Sequence, residues 1–198
     1  MVDFSGDDLF GATPLDDYSG IKLQHIVTRK ELYEAEFSNI SKALSRYLLK
    51  PLALEKLFIR DSLFKVHAAM FGEVWTWAGQ KRTGNKSVGI DKHQIDVKIH
   101  QFINDYNYWE QEELSPLDIS VLIHHRLVQV NPFENGNGRW ARTIVNMYLK
   151  QKTGQIIKWP EDEFFINSEF RKKYIFALKD ADNLDDAKLT GIHKELIT

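Results

Sequence analysis

The sequence predicts an all-α fold that contains one small β-hairpin. Apolar residues recur at helical spacing in most segments after about residue 28, which favours a bundle of amphipathic helices. Residues typical of helix N-caps precede several of these segments, and proline or glycine closes them. The helical pattern stops between residues 73 and 90, where a Gly84-Asn85 pair is typical of the tight turn of a β-hairpin.

The first two helices are indicated by the residues at their ends. Thr28 and Glu31 form a capping-box pattern, so the first helix is expected to begin directly after Thr28. Its apolar stripe consists of Leu32, Ala35, Ile40, Ala43, Tyr47 and Leu48. Pro51 is expected in the first turn of a second helix, and Gly72 is expected at its end.

The later helices follow the same logic. Asn131 precedes Pro132, and the residue before a proline is pushed out of the α region, so the fourth helix should end there. Gly154 is expected to end the fifth helix. The expected N-caps are Asp91 for the third helix, Ser115 with Pro116 for the fourth, and Asn167 or Ser168 for the sixth. The apolar or amphipathic stretches lie at 95–109, 119–130, 139–152, 170–178 and, more weakly, 185–196.

Composition excludes several classes of protein. The chain has 198 residues, a net charge of −2 and no cysteine, so neither a basic nucleic-acid surface nor a disulfide or thiolate metal site is expected. No apolar run reaches membrane-spanning length, and the N-terminus is unlike a signal peptide, so a cytoplasmic location is expected. Residues 1–20 are interpreted as a tail or docking arm, and 21–198 as one domain.

Residues 131–142 carry the strongest chemical signal. They form a glycine-containing loop that leads directly into the fifth helix. Gly136 and Gly138 let backbone N–H groups approach a ligand closely, and the helix adds the positive end of its dipole. Arg139 and Arg142 are three residues apart and therefore share a helix face. This combination suits a di- or triphosphate, whereas an ordinary helix connection with solvated arginines is the alternative.

The same stretch resembles the signature of Fic-domain proteins. That signature reads His-x-Phe-x-Asp/Glu-Gly-Asn-Gly-Arg-x-x-Arg, and the matching residues are Phe133, Gly136, Asn137, Gly138, Arg139 and Arg142. Residues 66–82 are similar to the second core helix of the family and the entry to its flap. Residues 28–40 and 124–128 are similar to a subgroup called mobile mystery protein B. The resemblance extends over nearly the whole chain from about residue 20.

This resemblance implies a Fic-fold helical bundle with a hairpin flap, and the transfer of AMP. Fic enzymes move AMP from ATP, with Mg²⁺ present, to a Ser, Thr or Tyr hydroxyl of a target protein. The phosphate-binding set implied here is Glu134, Asn135, Gly136, Asn137, Gly138, Arg139 and Arg142. The two arginines would hold the β and γ phosphates, and Phe133 would anchor the loop in the core.

Two positions depart from the signature. Asn131 stands where the family has the histidine that takes the proton from the target hydroxyl, and an amide cannot act as a general base. The loss of a positioned base typically slows a reaction by about 10²–10⁴-fold. The substitution is either a natural loss or a deliberate one that silences a toxic enzyme. Asn135 stands at the acidic metal-binding position, where its amide oxygen is a weaker Mg²⁺ ligand.

The flap is expected at about 82–90. Its hairpin residues are Arg82, Thr83, Gly84, Asn85, Lys86, Ser87 and Val88. In Fic proteins this element binds an extended segment of the target by strand addition. An ordinary surface loop is the alternative interpretation of the same residues.

Glu36 is a candidate inhibitory residue, because many Fic proteins are held inactive by a glutamate that pairs with the second arginine of the signature. The strict inhibitory motif, Ser/Thr-x-x-x-Glu, is absent. Glu36 is nevertheless expected either to reach Arg142 or to form a solvated or structural contact. A separate antitoxin protein could supply the glutamate instead.

The histidines do not form a metal-binding pattern. No HExxH-type spacing occurs, and the adjacent His124 and His125 point to different faces of a helix. His67 and one of that pair are expected to be partly buried, hydrogen-bonded supports.

The leading hypothesis is an adenylyltransferase impaired by Asn131. The alternatives are a degenerate Fic protein that only binds a nucleotide or a partner, and a Fic enzyme with a different phosphate donor. A helical DNA-binding module is disfavoured by the charge. The target, the nucleotide base and the oligomeric state do not follow from the sequence.

Overall fold

The computed structural model describes residues 18–112 and 114–198, and the all-α class is confirmed there. The helices of these residues are α1 (Arg29–Leu49), α2 (Leu54–Leu57), α3 (Arg60–Phe71), α4 (Ile95–Trp109), α5 (Pro116–Val130), α6 (Asn137–Thr153), α7 (Glu169–Ala181) and α8 (Ala187–Leu196). Short 3₁₀ turns span Lys92–Gln94 and Glu161–Phe165. Most of the expected N-terminal arm, 1–20, lies outside the described residues.

Helix α6 lies at the centre of the main core. It packs against α5, α1 and α3, and its residues from Trp140 to Leu149 are mostly buried. A smaller core joins α5, α7 and α8, and it includes Val121, Phe164, Tyr174, Ala177, Leu189 and Ile192.

The expected ends of most helices are confirmed. Thr28 Oγ1 accepts a hydrogen bond from Glu31 N at 3.3 Å, and Glu31 Oε2 accepts one from Thr28 N at 3.0 Å, which completes the capping box. Ser115 caps α5, and Pro116 is in its first turn. Gly154 ends α6 in the left-handed conformation, with φ of 76°.

The single helix expected from Pro51 to Gly72 is wrong. Pro51 lies before α2, and the helix is interrupted between α2 and α3 at Phe58 and Ile59. The break turns the ring of Phe58 into the core, where it stacks on Tyr106 with 3.7 Å between ring centroids. The free energy gained by burying this ring exceeds the free energy that one more helical turn would contribute.

The β-hairpin expected at 82–90 is also wrong, since no strand is formed in this segment. A type I′ hairpin turn needs positive φ at both central residues, and neither Gly84 nor Asn85 has it. The guanidinium of Arg82 instead binds the carbonyls of Gly84, at 2.7 Å, and of Ile90. Side-chain hydrogen bonds therefore organise this segment where strand pairing was expected.

Within the described part of the chain, isolated β-bridges join Ile21 to Trp75 and Ile157 to Ile197. No helix in this part is both long enough and apolar enough to cross a bilayer.

Candidate functional site

The loop between α5 and α6 is shaped by two left-handed residues. Asn131 ends α5 with φ of 49°, and Gly136 precedes α6 with φ of 78°. A Cβ at Gly136 would lie 2.4 Å from Cζ of Phe71, so the position has no room for a side chain. Glycine is thus required twice over here, by conformation and by space.

Phe133 and Asn137 hold the loop together. The amide of Asn137 accepts a hydrogen bond from Phe133 N at 2.9 Å and donates one to Phe133 O at 3.0 Å. The ring of Phe133 is fully buried and stacks on His67 at 3.6 Å between centroids. Phe133 therefore anchors the loop in the core, and the side chain of Asn137 shapes the loop from inside.

His67 supports the loop from α3. Its Nδ1 accepts a hydrogen bond from Gly79 N at 3.0 Å, so its Nε2 carries the proton and donates to Asn135 O, also at 3.0 Å. Burial lowers the pKa of His67 to about 3, which keeps the ring neutral. The expectation that His67 is a buried support is confirmed.

The N-terminus of α6 faces the loop without a side-chain cap. Gly136 offers no capping group, and its own N–H donates to Asn135 Oδ1 at 2.5 Å. A helix of 17 residues presents its first N–H groups and the positive end of its dipole at this point. The arrangement is chemically suited to bind an anion.

Arg139 is paired with the carboxylate of Glu36. Its Nη1 lies 2.5 Å from Glu36 Oε2, while Glu36 Oε1 accepts a hydrogen bond from Trp75 Nε1 at 2.6 Å. The guanidinium also lies over the ring of Phe71, 4.8 Å from the centroid. Glu36 is only 4% exposed. The hypothesis that Glu36 reaches Arg142 is wrong, because the carboxylate of Glu36 is engaged by Arg139 and Trp75.

Arg142 is paired with Glu161. Its Nε and Nη2 meet the two carboxylate oxygens at 2.9 and 2.6 Å, and its guanidinium lies 3.9 Å from the centroid of Phe164. Burial works to lower the pKa of Arg142, yet the pKa is raised overall because the Glu161 carboxylate favours the charged form. Although both arginines begin on one helix face, their side chains diverge towards α1 and towards the second 3₁₀ turn.

Sequence reasoning missed Glu161. It belongs to the acidic run 161–163, which follows Pro160 and resembles a solvated turn. Only the packing of the second 3₁₀ turn against α6 reveals its role.

Asn131 ties the loop to the segment 82–90. Its Nδ2 donates to Val88 O at 3.1 Å, and its backbone oxygen accepts from Arg82 Nε at 2.8 Å. An ion pair between Lys86 and Glu134 adds a further contact between the segment and the loop. Asn131 itself is 3% exposed. The residues expected to form the flap and those of the loop therefore lie together.

A buried hydrogen-bond chain lies beneath Arg142. His124 Nε2 is 2.8 Å from Tyr174 Oη, His124 Nδ1 is 2.9 Å from His193 Nε2, and His193 Nδ1 is 2.9 Å from Ser120 Oγ. Ser120 Oγ donates its hydrogen bond to Leu117 O at 2.7 Å and must therefore accept one from His193. It follows that each hydrogen bond in the series points the same way, from Tyr174 to His124, from His124 to His193 and from His193 to Ser120. Burial lowers the pKa of His193 to about 3 and that of His124 well below its usual value.

Residues 57–149 match the profile of the Fic/DOC family, and the loop described above falls within this match. By this match, the chain contains a Fic/DOC domain. The resemblance to the mobile mystery protein B subgroup stays a prediction.

The curated proteins to which this chain is similar are named protein adenylyltransferases. The protein adenylyltransferase Fic of Nematostella vectensis is 29% identical over 94 residues, which are 45% of this chain and 22% of the relative. The fic-1 protein of Caenorhabditis elegans is 28% identical over 94 residues, 45% of this chain and 18% of the relative. The chain spans about a quarter or less of the length of these relatives.

Solved Fic structures share the fold. Fic-1 of C. elegans superposes with a TM-score of 0.69 at 20% identity, over 84% of this chain and 49% of that one. The Fic domain of a Bartonella quintana effector with bound ADP gives 0.65 at 17% identity, over 91% and 93%. BepC of Bartonella tribocorum with bound AMPPNP gives 0.62 at 19% identity, over 95% and 94%.

The candidate metal position of this Fic/DOC domain is already engaged. Asn135 Oδ1 accepts from Gly136 N and lies 3.4 Å from Arg139 Nη2, and Glu134 is paired with Lys86. No cluster of three acidic or histidine ligands occurs among the described residues. As placed, these side chains do not fit a resident Mg²⁺ ion, because an oxygen that faces two N–H donors is a poor cation ligand.

Proposed function

We propose that this chain is a Fic-type protein adenylyltransferase whose transfer step is impaired by Asn131. The observation that carries the proposal is the start of α6, an uncapped helix N-terminus behind a left-handed glycine with Arg139 beside it. N–H donors and a guanidinium in this arrangement stabilise the charge that develops on a transferred phosphoryl group.

Asn131 limits only the proton transfer in this proposal. The amide of Asn131 is buried at the base position, where it donates to Val88 O and has no titratable nitrogen. The rest of the loop keeps its shape through Phe133, Asn137 and Gly136, none of which depends on the amide of Asn131. Nucleotide binding is therefore expected to persist without efficient transfer.

A histidine fits the backbone at this position. Asn131 has φ of 49°, and histidine is among the non-glycine residues that tolerate the left-handed region. The carbonyl of Val88 would accept an N–H from the Nδ1 of such a ring, as it now accepts one from the amide. Nε2 would then be unprotonated and able to act as the base.

The test compares the wild type, Asn131→His and Asn131→Gln. Each is incubated with ATP labelled on the α-phosphate, Mg²⁺ and cell lysate, and labelled protein is counted. We expect Asn131→His to raise labelling by about 10²–10⁴-fold, with a rate that increases through the histidine pKa of about 6.5. Asn131→Gln, which keeps an amide but no base, is the matched control and is expected to stay at the wild-type level.

Two alternatives are separated when ATP binding is also measured and a second label is placed on the γ-phosphate. If Asn131→His binds ATP but labels no protein, the chain is a nucleotide-binding regulator, an alternative that the tie between Asn131 and Val88 favours. If a label on the γ-phosphate is transferred and one on the α-phosphate is not, the chain is a phosphotransferase. The target protein, its hydroxyl and any antitoxin partner would be identified from the labelled bands and from proteins that suppress the labelling.

A further inference from the structure

The buried hydrogen bonds of His124 and His193 continue as far as Arg142. The hydroxyl of Tyr174, which is hydrogen-bonded to His124, also makes a side-chain hydrogen bond with the guanidinium of Arg142. Because arginine only donates, Tyr174 accepts this bond and uses its one proton towards His124. Arg142, Tyr174, His124, His193 and Ser120 therefore form one continuous series, which we call the histidine network.

Both ends of the histidine network impose the same direction on it. At one end, Arg142 can only donate. At the other end, Ser120 Oγ donates to Leu117 O, so it accepts from Nδ1 of His193 at 2.9 Å. Each imidazole between the ends carries its proton on Nδ1 and accepts at Nε2. The orientation of the Tyr174 hydroxyl is thus determined by groups on α5 and α8.

Burial makes the histidine network behave as a unit. His124, His193 and Ser120 are fully buried, and the side chain of Arg142 is 4% exposed. A buried donor or acceptor that loses its partner is costly, because water does not replace that partner. If one member reverses its hydrogen bond, the next member must reverse as well.

The guanidinium at the end of the network lies beside the first turn of α6. Its Nε and Nη2 face Glu161, whereas its Nη1 approaches the loop: a Cβ built on Gly138 would lie 3.3 Å from Nη1. A cation at this place adds to the positive end of the helix dipole and attracts an anion to the N-terminus of α6. The orientation of Arg142 therefore bears on the proposed phosphate site.

We propose that His193 of α8 is a positioning residue for nucleotide binding, which acts through His124 and Tyr174 to orient the guanidinium of Arg142 at the start of α6. The inference rests on the proposed function, because it assumes that the start of α6 binds phosphate. A purely structural network would differ in its effect: its loss would lower stability and leave the affinity for nucleotide unchanged.

The first measurement requires no substitution. ¹⁵N NMR of the histidine rings in the wild-type chain identifies the protonated nitrogen of each ring. We expect the proton on Nδ1 in His124 and in His193. His67 is the internal reference with the opposite tautomer, since its Nδ1 accepts from Gly79 N and its Nε2 carries the proton. A proton on Nε2 of His124 or of His193 would overturn the direction of the network, and the proposal with it.

The second measurement is the dissociation constant of ATP, by calorimetry with Mg²⁺, for the wild type and four variants. Tyr174→Phe and His193→Met interrupt the network and are expected to weaken ATP binding by about tenfold, the scale of one charge-assisted contact. His193→Gln carries a donor and an acceptor on one amide and should bind within about threefold of the wild type. His125→Gln is the matched control, because His125 pairs with Asp182 outside the network and should not affect binding.

Urea denaturation of the same variants separates affinity from stability, and binding is compared under conditions in which each variant is folded. If the wild type binds ATP and both Tyr174→Phe and His193→Met bind it equally well, the positioning role is overturned and the nucleotide site stays intact. Equal weakening in His193→Met and His193→Gln also overturns it, since the hydrogen bonds would then not matter. A wild type that does not bind ATP overturns the proposed function, and this inference with it. If His193→Met does not fold, Tyr174→Phe, which keeps the buried ring, decides the question.

Discussion

Gly136 and Gly154 have nearly the same backbone conformation, with φ of 78° and 76°, but different surroundings. A Cβ on Gly136 would lie 2.4 and 2.7 Å from two ring carbons of the buried Phe71. A Cβ on Gly154 would meet no atom within 4 Å. Alanine substitutions at these two glycines therefore separate the loss of stability caused by a left-handed alanine from the loss caused by a clash with Phe71.

We expect Gly154→Ala to reduce the free energy of unfolding by about 1 kcal/mol, the usual penalty of a left-handed alanine. Gly136→Ala should cost about 3 kcal/mol, because a buried ring must also move. Urea denaturation of both variants measures the difference. Equal losses would show that the ring of Phe71 yields easily and that the loop is less tightly packed than its geometry indicates.

At the scale of elements, Arg82 organises the segment 82–90. One guanidinium binds the carbonyls of Asn131, Gly84 and Ile90, and so replaces the strand pairing that the sequence led us to expect. Burial lowers the pKa of Arg82, although the charge is retained. The fork of a guanidinium can reach three carbonyls at once, which an ammonium group cannot do with the same geometry.

We therefore expect Arg82→Lys to open this segment while the helices stay folded. Amide exchange in the peptide 83–90 should accelerate by about tenfold or more, which corresponds to a loss of more than about 1.4 kcal/mol of local stability. Hydrogen-exchange mass spectrometry makes the measurement, and the exposed Arg46→Lys in α1 is the control. Unchanged exchange in Arg82→Lys would mean that backbone packing alone holds the segment.

The elements that could be predicted from the sequence are those whose ends are determined by residues close to them in the chain. The capping box of α1, the Ser115-Pro116 start of α5 and the Gly154 end of α6 each place cause and effect within a few residues. The shape of the loop 131–138 was recognisable for the same reason. The kink at Phe58 was not, because it depends on the distant ring of Tyr106.

Partners of the site residues were beyond a sequence-based prediction. Glu36 and Arg139 are 103 residues apart, and Glu161 and Arg142 are 19 apart across an irregular segment. Nothing in the spacing says which carboxylate meets which arginine, since that choice is made by the packing of α1 and the second 3₁₀ turn on α6. The same holds for the hydrogen-bond chain from Tyr174 to Ser120.

At the scale of the whole molecule, the buried histidines His67, His124 and His193 couple folding to pH. Burial is the main cause that lowers the pKa of His67 and of His193 to about 3, and it lowers that of His124 as well. In the unfolded chain these groups titrate near the usual value of about 6.5. Below that value the unfolded state binds protons that the native state does not, so stability is full above pH 6.5 and is lost as the pH falls towards 3.

Between pH 7.5 and 5.5 we expect His67 and His193 each to remove about 1 kcal/mol from the free energy of unfolding, and His124 to act in the same direction. Urea denaturation at several pH values above the carboxylate range measures this dependence. His100→Gln is the control, because this exposed side chain is solvated in both the folded and the unfolded chain. A stability that is flat over this interval would contradict the neutral, buried state of the histidines.

The left-handed backbone of Asn131 has a genetic consequence. Asparagine and histidine both tolerate this conformation, and both can donate an N–H to the carbonyl of Val88. Their codons differ only in the first base, so a single point mutation exchanges one residue for the other, and the left-handed backbone does not oppose the exchange. In a growing population, variants with histidine at this position should arise at the ordinary mutation rate, and their survival would report directly on how much transfer the host tolerates.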